Sequence, residues 1–496
     1  MRKEINSLLL TIILLIFTLI LSGCVGQKPS PVLPASLPAN PPAIPASSPT
    51  GSPGIPSTSA FSSSPTAAPS ETSLSSATST TPRTNITTSP SGLPGQSNYP
   101  RLTIVPSPAP GTGSVLCGIT TLSPSDIWAV GSFVRGVPQT LAERWNGQDW
   151  SLVSTPNVNG NGSPTGAPTN NSNTFFQVAG SSTTDVWAVG MFDSVKAGFQ
   201  TLAEHWNGNR WTVVPTPDAG SGANALFAVL VLSPADAWAV GGYFRQTNVS
   251  LDTIQFEHTP YVLSEHWNGQ MWSIVNAQNP GQASNYQQPA ANPSLHTSVN
   301  VFAAVSASAP SAVWAVGHYW DGTANRTLAE YWNGQVWSVV PTPNISSEEN
   351  ILTGITTLSG RDAWATGIAT LGRIKSTLIE HWNGKAWTVS PGVNIRGENN
   401  MLFGVAARSA VNVWVVGQYY SPSDKKWPFT SGGPLAEYWN GQSWQIATTQ
   451  KVGGTGFANV FNSATLAGTA IWVAGSRDSA SVHAGLIERS VIHGIP

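Results

Sequence analysis

This chain has little charge and almost no cysteine. Among its 496 residues, 22 are Lys or Arg and 24 are Asp or Glu, a formal net charge of −2. No basic stripe is available to neutralise phosphates, so nucleic acid is excluded as a partner. Two cysteines, Cys24 and Cys117, allow at most one disulfide, and none if Cys24 serves another purpose. No D-x-D-x-D-G loop offers calcium its oxygen ligands, and the histidines follow no frame that would hold a metal, so neither metal nor other cofactor is expected. Long apolar runs are missing apart from Leu8 to Leu21.

That one run carries an address. Arg2 and Lys3 precede it, and Leu21-Ser22-Gly23-Cys24 closes it. The segment 1–24 resembles a bacterial lipoprotein signal. The resemblance implies that the Cys24 thiol accepts a diacylglycerol before cleavage makes it the new N-terminus. The chain would then sit extracytoplasmically, held to a membrane by lipid at Cys24. An uncleaved transmembrane anchor is the alternative, because the apolar run falls little short of spanning length.

Residues 25–99 are dominated by Pro, Ser, Thr and Ala. Such a composition buries too little apolar area to offset the entropy of ordering, so the segment reads as a disordered tether. As a flexible coil it would span about 50 Å, and more where proline holds it extended.

From residue 100 the abundant residue is tryptophan, 21 copies in all. Trp-Ala-Val-Gly or a near variant occurs seven times, headed by Trp128, Trp187, Trp238, Trp314, Trp364, Trp414 and Trp472, whereas W-N-G-x-x-W occurs six times. Repeats of about 50 residues with strand-like signals indicate a β-propeller. In the fourth repeat, strands A to D are expected near Val301 to Ser306, Ala312 to Tyr319, Thr327 to Trp332 and Val336 to Pro341, with Asn-Gly as a tight C–D reversal.

The final repeat stops after Leu486-Ile487-Glu488-Arg489 without a D strand, while Arg101-Leu102-Thr103-Ile104-Val105-Pro106 matches the D strand of the second repeat. The expected fold is therefore all-β: a seven-bladed propeller of four-stranded antiparallel blades over 100–490. The N-terminal strand at about 101–106 closes the ring, and 491–496 form a tail. Leu102 should occupy the slot where other repeats place the second Trp of W-N-G-x-x-W.

The strand pattern, a B strand ending in Gly followed by a strand with an aromatic and then Trp, resembles kelch-repeat propellers such as the central domain of galactose oxidase. The resemblance spans about residues 100–490. It implies either a binding propeller or a copper radical oxidase. The oxidase would need two Tyr, two His and a Cys cross-linked to one Tyr, whereas Cys117 stands in a core-strand register and His258, His296, His318, His483 and His493 are scattered. A Glu shortly before an aromatic, a turn and a Trp is also similar to fucose-binding lectins, although their sugar-gripping Arg is absent.

Every C strand holds a Glu: Glu143, Glu204, Glu265, Glu330, Glu380, Glu437 and Glu488. A carboxylate repeated in all blades reads as construction, accepting hydrogen bonds from backbone amides or a Trp indole. Asp126, Asp185, Asp236 and Asp362, two residues before the Trp, are expected to fix the A–B turn through their own backbone. Cys117, Phe176, Phe227, Thr353, Phe403 and Phe461 share one offset from that Trp and read as core.

Nineteen tryptophans belong to the two motifs; Trp320 and Trp427 do not. Both fall in B–C connections, on the face that also receives the D–A connections and the long insertions. Ligand-binding candidates on that face are Trp320, Trp427, Tyr243, Phe244, Tyr319, Tyr419 and Tyr420, with Arg245, Asp321 and Arg326 as polar neighbours. No catalytic residue is assigned. The expected function is non-catalytic recognition of a carbohydrate or protein by a monomer. A carbohydrate-active enzyme, with Glu257, Asp321 and Asp424 as possible carboxylates, and a structural scaffold are the alternatives.

Overall fold

A computed structural model of the protein describes residues 100–108, 110, 113–158, 172–194, 198–244, 246–250, 253–256, 260–280, 300–424, 431–451, 459–478 and 483–491. Cys24, Arg245 and Trp427 therefore lie outside the described residues. Those described form strands and turns without a helix.

The unit is a four-stranded antiparallel meander. In its first copy, Ser114–Ser123 (A), Asp126–Arg135 (B), Val137–Trp145 (C) and Trp150–Leu152 (D) lie side by side in that order. Five sheets hold four strands each, and an eight-stranded sheet consists of two such meanders joined by one parallel bridge, Asn325 to Glu349. In the fourth repeat the A strand, Asn300–Ala309, outruns its expected end, while the D strand shrinks to Trp337–Val339. A three-residue outer strand leaves little open edge for unwanted pairing.

Successive sheets pack face to face, and tryptophan makes the contact. Trp128 meets Trp206 and Trp211 of the next repeat at centroid distances of 5.1 and 5.2 Å, and Trp472 of the last sheet meets Trp145 of the first at 5.0 Å. Such pairs add about 0.5–1.5 kcal/mol beyond area burial. Repeated four-stranded sheets stacked in this way, the last against the first, make the fold a β-propeller.

The glycine that ends W-A-V-G is explained by a β-bulge rather than by its dihedrals. In the first repeat the pairing skips Cys117, between Leu116 opposite Gly131 and Gly118 opposite Val130. A carbonyl of the A strand is thereby pressed against the glycine. A Cβ on Gly131, Gly317 or Gly367 would lie 1.9, 1.9 or 1.8 Å from the carbonyl oxygen of Val115, Val301 or Ile351. No side chain fits there.

The bulge residues point to the centre, where Cys117, Phe176, Phe227 and Ala303 from four successive A strands meet in one apolar cluster. In the seventh repeat the skipped residue is Asn462, not Phe461, because this sheet lacks the second bulge that the first has next to its A–B turn, and Phe461 itself stands opposite Gly475. Asn462 Nδ2 donates to the Leu116 carbonyl of the first sheet at 2.9 Å.

At the chain's beginning, Thr103–Ile104 pairs with the last strand, His483–Val491, with Thr103 opposite Arg489 and Ile104 opposite Glu488. Leu102 N donates to the Thr448 carbonyl at 2.8 Å, and Val105 N to that of Ile487 at 2.9 Å. Leu102 is fully buried in a cluster with Trp414, Tyr438 and Leu486.

The C–D turn is the expected tight reversal, with its two tryptophans flanking it. Trp145 and Trp150 are paired, so Asn146 to Asp149 form a four-residue loop. Only the glycine takes positive φ, 101° at Gly147, while Asn146 Oδ1 accepts from the amides of Gln148 and Asp149 at 2.8 and 2.9 Å.

Candidate functional site

The seven C-strand glutamates are all fully buried. Burial pushes Glu143, Glu380 and Glu437 up to about 8, Glu204 to about 9 and Glu330 and Glu488 to about 7, and holds Glu265 well above its ordinary value. Three receive an amide from the D–A linker of the preceding repeat. Gln278 N donates to Glu330 at 3.1 Å, Val393 N to Glu437 at 2.7 Å and Gln450 N to Glu488 at 3.4 Å.

Each donor stands six residues after the first residue of its D strand. At the same offset from Trp150, Trp211 and Trp337 stand Pro156, Pro217 and Pro343. Proline has no N–H. Correspondingly, neither carboxyl oxygen of Glu204, Glu265 or Glu380 has a hydrogen-bond partner among the described residues. Glu143, whose linker has Pro108 at that offset, is eased only by the nearby Ser107 side chain. No indole serves these carboxyls, contrary to one of the two expectations.

The aspartates two before the motif Trp bind across the sheet, not to their own turn. Asp126 holds Arg144 through two bonds of 2.8 Å, Asp185 holds His205 at 2.8 Å, and Asp236 and Asp362 hold His266 and His381 at 2.9 Å. The cation, imidazole or phenol so placed lies on the indole. His381 is 4.2 Å from Trp364, Tyr331 4.8 Å from Trp314, and the Arg144 guanidinium 5.0 Å from Trp128. Arg, His and Tyr interchange because each offers the Trp a planar partner. The repeated aspartates are thus occupied by the scaffold, and the repeated glutamates are buried within it.

Side chains that do not repeat gather on the B–C and D–A face. Most of its aromatics are packed down. Tyr243 stacks on Tyr261 at 5.4 Å, Phe244 leans on the central cluster, Tyr319 on the Trp238 and Phe302 cluster, and Tyr419 on the Trp364 cluster. Tyr420 is buried with Ile368 and Met401, and burial raises its hydroxyl to about 12, helped by the Glu349 and Asp424 carboxylates. Asp321 accepts from Arg326 Nε at 2.6 Å and from the Thr323 and Ala324 amides at 2.7 and 2.9 Å, and Arg326 Nη1 reaches the Ser346 carbonyl at 2.9 Å. This pair staples a B–C turn to the following linker. Trp320 is half-buried beside it.

A charged cluster that sequence reasoning missed lies next to Trp320, at the seam of the fourth and fifth repeats. Glu349 Oε2 accepts from Lys375 Nζ and Thr370 Oγ1, both at 2.7 Å. Burial alone would raise the Glu349 carboxyl, but the Lys375 ammonium and these bonds hold it below its ordinary value. His318 is buried, which lowers its imidazole to about 4 against the pull of Glu349. The signal was visible as substitution within the repeat. Where His318 follows the motif Gly, the other repeats have Ser132, Met191, Gly242, Ile368, Gln418 and Ser476.

A second unnoticed repeat is a residue at or next to the start of each A strand: Asn173, Asn224, Asn300, Asn350, Asn400 and Asn459, with Ser114 in the first. All are buried, and Asn173, Asn224, Asn350 and Asn400 bind the linker before them, as Asn350 does through Ser346 N and the Ser346 carbonyl at 3.0 and 2.7 Å.

No protein-family model and no curated protein matches this chain. Among solved structures it is similar to YCF48 bound to D1 peptide, at 15% identity over 81% of this chain and 98% of that one, with a TM-score of 0.44. It is also similar to a PL25 ulvan lyase, a polysaccharide lyase, at 10% identity over 81% and 97%, TM-score 0.46. A third is the six-bladed, fucose-recognising lectin of Aleuria aurantia, at 12% identity over 64% and 94%, TM-score 0.36.

Proposed function

We propose that the protein is a lipid-anchored, extracytoplasmic recognition module: a kelch-like propeller of seven blades whose B–C and D–A face binds a carbohydrate or protein ligand without catalysis. The first strand completes the last blade and closes the ring. Segment 25–99 holds the propeller away from the membrane.

The observation that carries this reading is the division of polar side chains. Of those that repeat, the seven Glu are buried inside the blades and the Asp–His and Asp–Arg pairs are bonded across them. Those that occur once, His318, Asp321, Arg326, Glu349 and Lys375, collect on one face. Catalysis by a carboxyl pair is disfavoured there, because Arg326 and Lys375 hold Asp321 and Glu349 as anions, so neither serves as an acid.

The double variant Trp320→Ala, Trp427→Ala of the full chain in detergent is expected to lose ligand binding, assayed on glycan arrays and in pull-downs. Met271→Ala with Val336→Ala, in C–D turns of the opposite face, should keep it. The reverse pattern would place recognition on the wrong face. Membrane attachment is checked separately. Cys24→Ser should abolish incorporation of labelled fatty acid and release the protein, whereas undiminished retention would favour an uncleaved helix.

A further inference from the structure

Resting on that reading, we propose that the seam between the fourth and fifth blades is a binding site for a neutral carbohydrate bearing a vicinal diol. The ligand would be gripped by Glu349 and Lys375 against Trp320.

The seam is built by four short stretches. Trp320 ends the B strand Ala312–Trp320 and stands opposite Asn325, the first residue of the C strand Asn325–Trp332. Asn325 in turn bridges to Glu349, which opens the A strand Glu349–Ser359 of the next blade. Lys375 stands opposite Thr370 across that blade's B–C hairpin. Side chains alternate along a strand, so His318 and Trp320 share one side of theirs while Tyr319 takes the other. Tyr319 packs toward Trp238 of the third blade, and His318 feels Glu349 of the fifth. His318 thus turns toward the Glu349–Lys375 pair, and strand alternation puts Trp320 and its partner Asn325 on the same side of the sheet as His318.

This pair is not needed to make a blade. At the position of Glu349 the other repeats have Gly113, Ser172, Ala223, Val299, Asn399 and Ala458, none of them charged. Taking a carboxylate and an ammonium largely out of water costs more than a surface pair returns, and a blade that forms without them six times over gains nothing obvious from it. Yet the pair is not sealed: the Glu349 and Lys375 side chains are 17% and 20% exposed.

Hydrogen-bonding capacity remains where a ligand would enter. Lys375 and Thr370 both bind Oε2 of Glu349, so neither of these bonds uses the second carboxylate oxygen, Oε1. The ammonium has further protons to donate. Below them, His318 Nδ1 and Asn325 Oδ1 are buried without a partner among the described residues. An acceptor beside a donor suits two adjacent hydroxyls, one donating to Oε1 and its neighbour accepting from Nζ. The flat face of the sugar ring would lie on the Trp320 indole. The carboxylate disfavours uronic or sulfated sugars at this point, and a polypeptide offers no vicinal diol.

The test uses the full chain in detergent on a glycan array, followed by titration calorimetry with the best neutral ligand. Glu349→Gln and Trp320→Ala should each weaken binding by about tenfold or more, with thermal unfolding unchanged. Periodate cleavage of the ligand's diol should abolish binding. A glycan bound with undiminished affinity by both variants, or after periodate, overturns the seam site and leaves the broader face reading intact. Absence of all glycan binding, with a defined polypeptide bound in a Trp320-dependent way, overturns the carbohydrate assignment alone. If Trp320→Ala unfolds the chain, Glu349→Gln and Lys375→Met decide by the same readout.

Discussion

Stability is expected to be highest in mild acid and to fall steadily as the pH is raised through neutrality to about pH 9, the reverse of acid denaturation. The cause is the ring of seven C-strand glutamates. In the unfolded chain each titrates near the ordinary carboxylate value of 4.5, whereas burial holds those in the folded chain between about 7 and about 9, with Glu265 well above 4.5. A raised folded-state value means that the native protein keeps protons the unfolded chain has released. Their contribution is therefore complete below the unfolded value and is lost as the pH climbs through the folded ones. Each carboxyl still protonated costs about 1.4 kcal/mol per pH unit. Glu330 and Glu488, which have a backbone donor, should ionise before Glu204, which faces a proline linker.

Denaturant midpoints at about pH 5, 7 and 9 measure this directly. Replacing Glu204 by Gln retains the shape and removes the titration, so the variant should equal the parent in acid and exceed it in alkali. Stability that rises between pH 5 and 8 would sink the argument. Asp321 and Glu349 do not mask the effect, because their lowered values place their own losses on the acid side.

Why the fold could be read and the seam could not follows from periodicity. A feature present in every repeat announces itself at a fixed spacing, which is how the strands and the burial of Leu102 opposite the last C strand were legible. The fate of the glutamates was half legible. Their repetition showed that they build blades, but their donors come from the preceding repeat, so the relevant pattern was the alternation of proline with Gln278, Val393 and Gln450 at one offset. Arg144, His205 and Tyr331 looked like unrelated choices until their rings were seen against an indole. The seventh repeat misled because it lacks the second bulge beside the A–B turn, which shifts the remaining one from Phe461 to Asn462. His318, Glu349 and Lys375 come from different strands and two different repeats and occur once. No spacing connects such residues before the chain is folded.

Deleting residues 99–108 is expected to abolish the cooperative thermal transition, although the segment is a small fraction of the chain. Its strand is short, only Thr103–Ile104, yet it covers an edge that no other segment can cover. Without it the last C strand would show unpaired amides and carbonyls to water, and Trp414 would lose the Leu102 side chain that fills its outer slot. That slot is already the weakest in the ring, since Ser490 and Leu102 stand where the other blades place two tryptophans. Leu102→Ala alone should cost about 2–5 kcal/mol, because a fully buried leucine leaves a cavity that a rigid blade cannot close. The deletion removes this together with the backbone bonds to Thr448 and Ile487, and with Ser107 beside Glu143 of the first blade. Calorimetry of the deletion should show a broad, low transition, and Leu102→Ala a sharp one displaced downward. A ring of packed sheets has no end from which to fray, and a melting profile unchanged by the deletion would mean that the last blade holds without its outer strand. The large effect is expected because this strand covers the outer edge of the last sheet and fills the slot beside Trp414, so without it the packing of the last sheet on the first through Trp472 and Trp145 would have to hold alone.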